Sequence, residues 1–339
     1  MTDVDQSDRR GLLRAVKLRA LVRDHLGRDV DAQLGAFPPG AALVESDTAW
    51  VLLEDAPDHG LGAAVAWAVR HGATRVQVLA GRDTGLLARR AAGLRIPVTV
   101  WHVEGRSLLP AVVEPPVIAP AARPEHLTLI PTIVVAGATP VVEHGVVTGE
   151  VRGLEVCRVV DDPHGGAVRL EVGVGAHDRE AFAIIHGDVP TPDALAGVVQ
   201  AVADHRRPDA PAHPLHRLAP ERLLRWQVEQ DPSALGLATL VPIPPPVPRP
   251  NVKDRVPCSA IGRRDDGRRV LVVCSVGVDL DLVPYAIDAR LSALQEDTGP
   301  GAEGVGEVWL VMPPRDLVPV TVELAALAEP AMSPVPFAA

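Results

Sequence analysis

The feature that most constrains the fold of this chain is an alternation of apolar strands and short helices that occurs near both ends. The first alternation predicts strand 49–55, helix 61–72, strand 75–80, helix 84–93 and strand 97–103. The second predicts a hairpin that turns at Asp266-Gly267, helix 281–294, strand 307–313, helix 317–328 and a last strand at 332–337. Apolar strands separated by helices of about ten residues are typical of a sheet with helices on its faces. We therefore predict a mixed α/β fold in which two βαβαβ units flank a central segment.

Clusters of proline divide the chain, because a run of prolines suits neither a helix interior nor a central strand. The predicted linkers are 110–124, 206–218 and 241–250. They separate three predicted domains, which are an N-terminal α/β unit at 1–109, a central unit at 125–205 and a C-terminal α/β unit at 219–339. The third linker, VPIPPPVPRP, has the composition of a stiff polyproline II strap.

The central unit changes character along its length. Residues 127–175 predict a β-meander, because short apolar runs are separated by turn sequences such as Ala136-Gly137 and His144-Gly145. Helices are predicted after the meander, at 178–186 and 192–204.

Two further helices are predicted in front of the two α/β alternations. The helix at 8–26 places Leu13, Val16 and Ala20 on one side, which we interpret as its packed face. The helix at 220–231 has the sequence PERLLRWQVEQD and follows the second proline-rich linker. The first and last thirds of the chain thus share one order of elements, and an internal duplication is a hypothesis.

The charge of the chain limits its partners. Its net charge is −10, and Lys17 and Lys253 are the only lysines. A negative chain does not suit a protein that coats nucleic acid nonspecifically, because that mode needs a basic surface. Local arginine patches remain candidates for DNA or RNA contact, and the patch at the predicted hairpin turn comprises Arg263, Arg264, Arg268 and Arg269. A hairpin projects from its sheet and can reach a groove, but a solvated arginine face is the alternative interpretation.

Cysteines and apolar runs indicate the compartment. The three cysteines, Cys157, Cys258 and Cys274, show no paired spacing of the kind found in zinc sites or disulfide scaffolds. No run approaches the roughly 18 apolar residues of a membrane span, and the first residues do not resemble a signal peptide. We therefore expect a soluble, cytoplasmic protein without a membrane partner.

Residues 220–338 carry a resemblance in the order of their features. A helix with Glu221 is followed by Asp231-Pro232, then by Arg255-Val256 before a hairpin with the turn 265–267 and a βαβ ending. This third of the chain resembles the C-terminal domain of NucS-type endonucleases, which have the PD-(D/E)xK restriction-endonuclease-like fold. The resemblance implies a restriction-endonuclease-like α/β domain.

In that family the hairpin supplies an aspartate after the Arg-Val pair, and the next strand supplies a glutamate and a lysine two residues apart. The carboxylates hold Mg²⁺, which activates the attacking water. Here Pro257 stands in place of the aspartate, and VVCSV at 272–276 stands in place of Glu-x-Lys. Valine, thiol and hydroxyl groups are poor ligands for a hard cation. The resemblance therefore implies a nuclease-like domain with a degenerate active site.

Relocated carboxylates are the alternative, and they would make the chain a divergent metal-dependent nuclease or hydrolase that uses Mg²⁺ or Mn²⁺. The candidate catalytic carboxylates are Glu54, Glu221, Asp279 and Asp281. Asp281 also suits the N-cap of the helix that follows it.

The densest group of titratable side chains lies in the centre, in RLEVGVGAHDREAFAIIHGD. Glu171, His177 and Asp178 are the candidate metal ligands, although their spacing does not match a common site. A second interpretation makes Gly173 and Gly175 part of an S-adenosylmethionine or nucleotide site, as in a cofactor-dependent enzyme. A third assigns the acidic residues to a helix cap and the glycines to a tight turn.

These patterns favour a non-catalytic protein with a binding or assembly role, and whether it is an enzyme stays open. No cofactor is expected. The possible partners are DNA or RNA, another protein, or a second copy of the chain.

Overall fold

The computed structural model describes residues 3–32, 34–38, 40–162, 165, 167–176, 178–180, 192–207, 210–211, 213–249, 251, 253–296 and 304–338. Over these residues the chain forms nine α-helices and three β-sheets that mix parallel and antiparallel strands. The predicted mixed α/β fold is therefore confirmed. None of the helices described is long and apolar enough to cross a membrane.

The helices are α1 (Asp3–Leu26), α2 (Leu61–Arg70), α3 (Thr84–Ala91), α4 (Pro124–Leu127), α5 (Ile130–Val135), α6 (Pro192–His205), α7 (Pro220–Gln230), α8 (Leu282–Glu296) and α9 (Pro319–Ala326). The first sheet contains β1 (Leu34–Gly35), β2 (Gly40–Glu45), β3 (Thr48–Leu53), β4 (Arg75–Ala80), β5 (Val98–Glu104) and β6 (Ser107–Pro110). The second contains β7 (Thr139–Glu143), β8 (Val146–Val151), β9 (Leu154–Asp161) and β10 (Val168–Val172). The third contains β11 (Thr239–Ile243), β12 (Cys258–Arg263), β13 (Arg269–Cys274), β14 (Glu307–Met312) and β15 (Ser333–Pro336).

The chain divides into two compact units. Unit 1 comprises Met1–Pro116, Val278–Leu291 and Leu317–Pro334. Unit 2 comprises Val117–Gly277, Ser292–Asp316 and Val335–Ala339.

Unit 1 is organised by the first sheet, whose strands lie in chain order from β1 to β6. The pair β2–β3 is antiparallel, and β3, β4 and β5 are parallel to one another. Strand β3 reads TAWVLL and is buried along nearly its whole length, as its continuous apolar run predicts for a central strand. The packed side of α2 carries small buried residues, including Gly62, Ala64 and Ala68.

Helix α1 packs through a different face from the predicted one. Leu13 and Val16 are exposed, whereas Leu18, Leu21 and Val22 are buried in the core of unit 1. The predicted packed face was therefore wrong. The buried residues follow the i, i+3, i+4 spacing of one helix face, and they pack against apolar residues of β2, β3 and β4.

In unit 2 the second sheet is the predicted meander, with antiparallel order β10-β9-β8-β7. Its first segment differs from the prediction, because Ile130–Val135 forms helix α5 and not a strand. Pro131 suits the first turn of a helix, and Ile133 is fully buried in the core of this region. Burial of one helix face outweighs the strand preference of the β-branched residues.

The third sheet has the order β11-β12-β13-β14-β15. Strands β11, β12 and β13 are antiparallel, and β14 is parallel to β13. The predicted hairpin is present, and its turn covers 264–268 with Gly267 in the left-handed region at φ +84°. Residues 241–243 belong to the edge strand β11, so the polyproline II prediction was wrong there. Pro242 is tolerated because an edge strand has an unpaired side.

Candidate functional site

The residues that the nuclease resemblance singles out lie at the paired ends of β12 and β13 in unit 2. Cys258 lies opposite Cys274 in the strand register, and both side chains are buried. The Cys258 thiol donates a hydrogen bond to the Glu221 carbonyl oxygen at 3.1 Å. Val273 is also buried, as is Ser275 directly after β13. Pro257, which stands in place of the aspartate, is buried directly before β12, and Val273, Cys274 and Ser275 of the 272–276 segment are buried as well.

Two arginines of α7 lie beside this locus, and we call Glu143, Glu150, Arg222, Arg225 and Glu229 the α7 charge cluster. Arg222 donates to Glu150 Oε1 at 2.5 Å and also binds Glu143. Arg225 forms an ion pair with Glu229, with 2.9 Å between Nε and Oε1, and its Nη2 lies 4.0 Å from Glu150 Oε2. Both guanidinium groups are buried. The carboxylates of the cluster are therefore paired with buried guanidinium groups.

The pKa directions of this cluster follow from burial and from that charge. Burial raises the pKa of Glu150, but Arg222, Arg225 and Arg249 outweigh it, so the pKa lies below its ordinary value. Burial lowers the pKa of Arg222, but Glu150 and Glu143 outweigh it and the pKa is raised. Glu150 and Arg222 therefore both remain charged at neutral pH.

The thiol pair also responds to the arginines. The hydrogen bond with Cys258, together with burial, holds the pKa of Cys274 well above its ordinary value. Burial raises the pKa of Cys258, but the hydrogen bond from Cys274 and the charges of Arg225 and Arg222 outweigh it and lower the pKa. This locus therefore combines two buried thiols with two guanidinium groups, and the nearby carboxylates of Glu150 and Glu229 are paired with those arginines.

The four predicted catalytic carboxylates have partners of other kinds. Glu54 forms ion pairs with Arg14 at 3.2 Å and with Lys17 at 2.6 Å, in unit 1. Asp279 accepts a hydrogen bond from the backbone N–H of Asp281 at 2.9 Å, also in unit 1. Glu221 is buried in unit 2. Within the described residues no group of three or more His, Cys, Asp and Glu side chains is arranged to hold a metal ion.

Asp281 lies directly before α8, and its carbonyl oxygen accepts a hydrogen bond from the backbone N–H of Tyr285 at 2.8 Å. Its Oδ1 accepts a hydrogen bond from the backbone N–H of Gly62 at 2.8 Å, in the first turn of α2. Burial raises the pKa of Asp281 to about 6, against the opposing effect of that hydrogen bond. Asp281 therefore occupies the predicted N-cap position of α8, while its carboxylate binds the N-terminus of α2.

Of the predicted central metal ligands, Glu171 is already paired with arginines. Glu171 pairs with Arg169 at 3.2 Å and with Arg179 at 3.6 Å. Asp178 is exposed, and His177 lies outside the described residues. Gly173 has φ +140°, and a Cβ atom added at this position would lie only 2.8 Å from the Arg179 backbone nitrogen. The tight turn therefore requires glycine here.

A cavity of about 360 Å³ in unit 2 lies over β9 and the turn that contains Gly173. Its lining comprises Glu155, Arg158, Val174, Gly175, Ala176, Asp178, Arg179, Leu215, Leu218, Asn251 and Lys253. Glu155 is buried and accepts hydrogen bonds from Arg158 Nε and Nη2, both at 3.0 Å, and from Arg179 Nη1 at 2.8 Å. We call this space the β9 cavity.

A second cavity of about 80 Å³ shares Glu155 and Arg158 with the β9 cavity. It is lined in addition by members of the α7 charge cluster and by Arg249. Burial and the charge of Arg222 lower the pKa of Arg249, and its Nη1 has no hydrogen-bond partner among the described residues. Polar groups therefore continue from the α7 charge cluster to the β9 cavity.

Sequence reasoning missed Glu155, Arg158 and Lys253. Two charged residues within the apolar strand sequence LEVCRVV were the available signal, as was the rarity of lysine. The partners Arg179 and Arg222 could not be recognised, because sheet pairing and packing bring them to Glu155 and Glu150.

The hairpin arginines are partly neutralised by neighbouring acids. Arg264 binds Glu307 at 2.8 Å and stacks on Trp309, and Arg268 pairs with Asp266 at 2.6 Å. Arg263 donates to the carbonyl oxygen of Gly267 at 3.4 Å, and Arg269 lies opposite it in the register. The positive charge available to a partner at this turn is smaller than the number of arginines indicates.

Comparisons with known proteins found no match to this chain among protein-family models, curated proteins or solved structures.

Proposed function

We propose that this protein is a non-catalytic binding module whose third sheet is a nuclease-like fold with a degenerate active site. The observation that carries the proposal is the locus at the ends of β12 and β13. Buried Cys258 and Cys274 stand there beside the guanidinium groups of Arg222 and Arg225. Hard divalent cations prefer carboxylate, carbonyl and water oxygens, and nearby positive charge repels them.

The order of elements supports the nuclease-like part of the proposal. An antiparallel hairpin, a helix and a parallel strand follow one another as β12, β13, α8 and β14. Fold alone does not determine function, so the binding role depends on the site and not on the sheet.

The proposal is tested by incubating the purified protein with end-labelled single- and double-stranded DNA and RNA in Mg²⁺ and in Mn²⁺. We expect no more cleavage than in a chelator-treated sample. Metal-dependent cleavage that Glu221→Ala abolishes would contradict the proposal and favour the relocated-carboxylate nuclease. Glu323→Ala, a change in unit 1 outside the locus, is the matched control.

The same samples identify the partner class. Binding of an oligonucleotide that weakens steeply between two salt concentrations would indicate phosphate contacts, for which Arg263, Arg264, Arg268 and Arg269 are the candidates. Absence of oligonucleotide binding at both salt concentrations would favour a protein partner or a second copy of the chain.

A further inference from the structure

The β9 cavity contains one of the two lysines of the chain, and the two lysines differ in their surroundings. Lys17 is held in an ion pair with Glu54 at 2.6 Å. Lys253 is exposed at the cavity, and among the described residues its side chain has no carboxylate partner. Its backbone N–H donates to Asn251 Oδ1 at 3.0 Å, which fixes the chain direction at this point. The ammonium group is therefore available to a ligand.

The other cations of the cavity are directed by Glu155. This carboxylate is buried and accepts hydrogen bonds from both Arg158 and Arg179. Because the Glu155 oxygens already accept hydrogen bonds from these two arginines, this carboxylate is not a free acceptor in the cavity. Arg158 keeps its Nη1 group outside these bonds, and Asn251 keeps its amide N–H groups. Apart from the exposed carboxylate of Asp178, the side-chain groups left over at the cavity are donors.

The charge of the lining has the same sign as these donors. The lining holds the cations Arg158, Arg179 and Lys253 against the carboxylates Glu155 and Asp178, in a chain whose net charge is −10. A local excess of positive charge within a concave, partly desolvated site attracts anions more strongly than the same charge on an open surface.

Val174, Leu215 and Leu218 add apolar surface to the lining of the cavity. The volume of about 360 Å³ lies in the range of small-molecule sites, which combine apolar walls with a few placed polar groups. We propose that the β9 cavity binds a small organic anion, in which a phosphate or carboxylate group meets Lys253 and Arg158 and a small apolar group lies on Leu215 and Leu218. The proposal does not depend on the nuclease resemblance.

The test uses isothermal titration of the full-length protein with phenyl phosphate, benzoate, inorganic phosphate and phenol. We expect phenyl phosphate or benzoate to bind at one site more tightly than inorganic phosphate and phenol, because only the former carry both groups. Lys253→Met removes one charge-assisted hydrogen bond, so we expect it to weaken that binding about tenfold. Lys17→Met is the matched control and should change the dissociation constant less than about twofold.

Acetylation of the two lysines, followed by peptide mass spectrometry, provides a second readout. Saturating phenyl phosphate should slow acetylation of Lys253 and leave the rate at Lys17 unchanged. Equal affinity of the wild type and Lys253→Met would overturn the proposal, as would binding of none of the four compounds. Oligonucleotide binding that requires Lys253, without binding of either aromatic anion, would assign the site to nucleic acid and overturn it too.

Discussion

Unit 1 and unit 2 each bury a cluster of arginines and carboxylates, and the surroundings of the two clusters differ. In unit 1, Asp288 is fully buried and binds Arg89 at 2.6 Å and Arg90 at 3.4 Å. The remaining donors reach backbone carbonyls, since Arg89 Nη1 binds Glu114 O at 2.9 Å and Arg90 Nη1 binds Asp58 O at 2.9 Å. In unit 2 the α7 charge cluster borders a cavity of about 80 Å³.

Burial of charge therefore does not by itself indicate a functional site. The polar groups of the Asp288 cluster are bonded within the protein, so we call this cluster closed and assign it a structural role. We call the α7 charge cluster open because it borders a cavity. Beside the α7 charge cluster, Arg249 lines the cavity of about 80 Å³, and its Nη1 has no hydrogen-bond partner among the described residues. Unsatisfied groups beside a cavity are the better sign of a place where a ligand or water completes the network.

The largest expected effect is on the closed cluster. Asp288→Ala leaves two buried guanidinium groups without their carboxylate, so we expect the free energy of unfolding to fall by about 3–5 kcal/mol. Urea unfolding followed by circular dichroism measures this loss. Glu329→Ala, which removes the exposed pair with Arg95 in the same unit, should cost less than about 1 kcal/mol.

A smaller effect is expected in the open cluster. Glu150→Gln removes a charge, but Arg222 retains Glu143 and the adjacent cavity can admit water. We therefore expect a loss of about 2–3 kcal/mol in the same urea experiment. A loss as large as that of Asp288→Ala would show that the α7 charge cluster is closed as well, and would remove the contrast between the units.

A third buried carboxylate, Asp281, has no arginine bonded to it and should produce a pH dependence. Its pKa is about 6 in the folded chain because burial dominates, and Asp279 adds to the rise while Arg90 and His59 oppose it. The folded state therefore holds the proton more tightly than the unfolded state. Its stabilising contribution is present below about pH 4 and is lost as the pH rises through about 6.

Asp281→Asn isolates this contribution because it keeps an acceptor for Gly62 and cannot ionise. Between about pH 4 and pH 7 the wild type should lose about 2–3 kcal/mol of unfolding free energy relative to the variant. Parallel pH profiles of the two proteins would show that Asp281 does not titrate in this range.

The smallest effect is expected at the surface of unit 1. Lys17→Met removes an exposed ion pair with Glu54, while Glu54 keeps Arg14. The free energy of unfolding, measured by thermal unfolding, should change by less than about 1 kcal/mol. A larger loss would mean that Glu54, a predicted catalytic carboxylate, has a structural role that its surface position does not suggest.

Much of the secondary structure could be predicted, because local periodicity determined it. The observed bounds of β4, Arg75–Ala80, match the predicted strand, and α7 ends one residue before the predicted end. The errors occurred where packing outweighs local preference, at α5 and at the packed face of α1. Pro242 was misjudged because pairing at the edge of a sheet tolerates a residue that lacks an N–H group.

The candidate site could be predicted only in its negative part. The absence of carboxylates at Pro257 and at 272–276 is legible in the sequence, because the strand itself carries those positions. The β9 cavity depends on Glu155 meeting Arg179, and the α7 charge cluster depends on Glu150 meeting Arg222. These pairs lie 24 and 72 residues apart in the chain, so no local pattern announces them.

We propose that unit 2 holds no divalent-cation site where thiols and guanidinium groups meet at the ends of β12 and β13. Titration of the full-length protein with Mn²⁺, followed by the electron paramagnetic resonance signal of the free ion, tests it most directly. We expect the wild type and Glu221→Ala to bind Mn²⁺ equally weakly, with no stoichiometric site. A stoichiometric Mn²⁺ site that Glu221→Ala removes would contradict it.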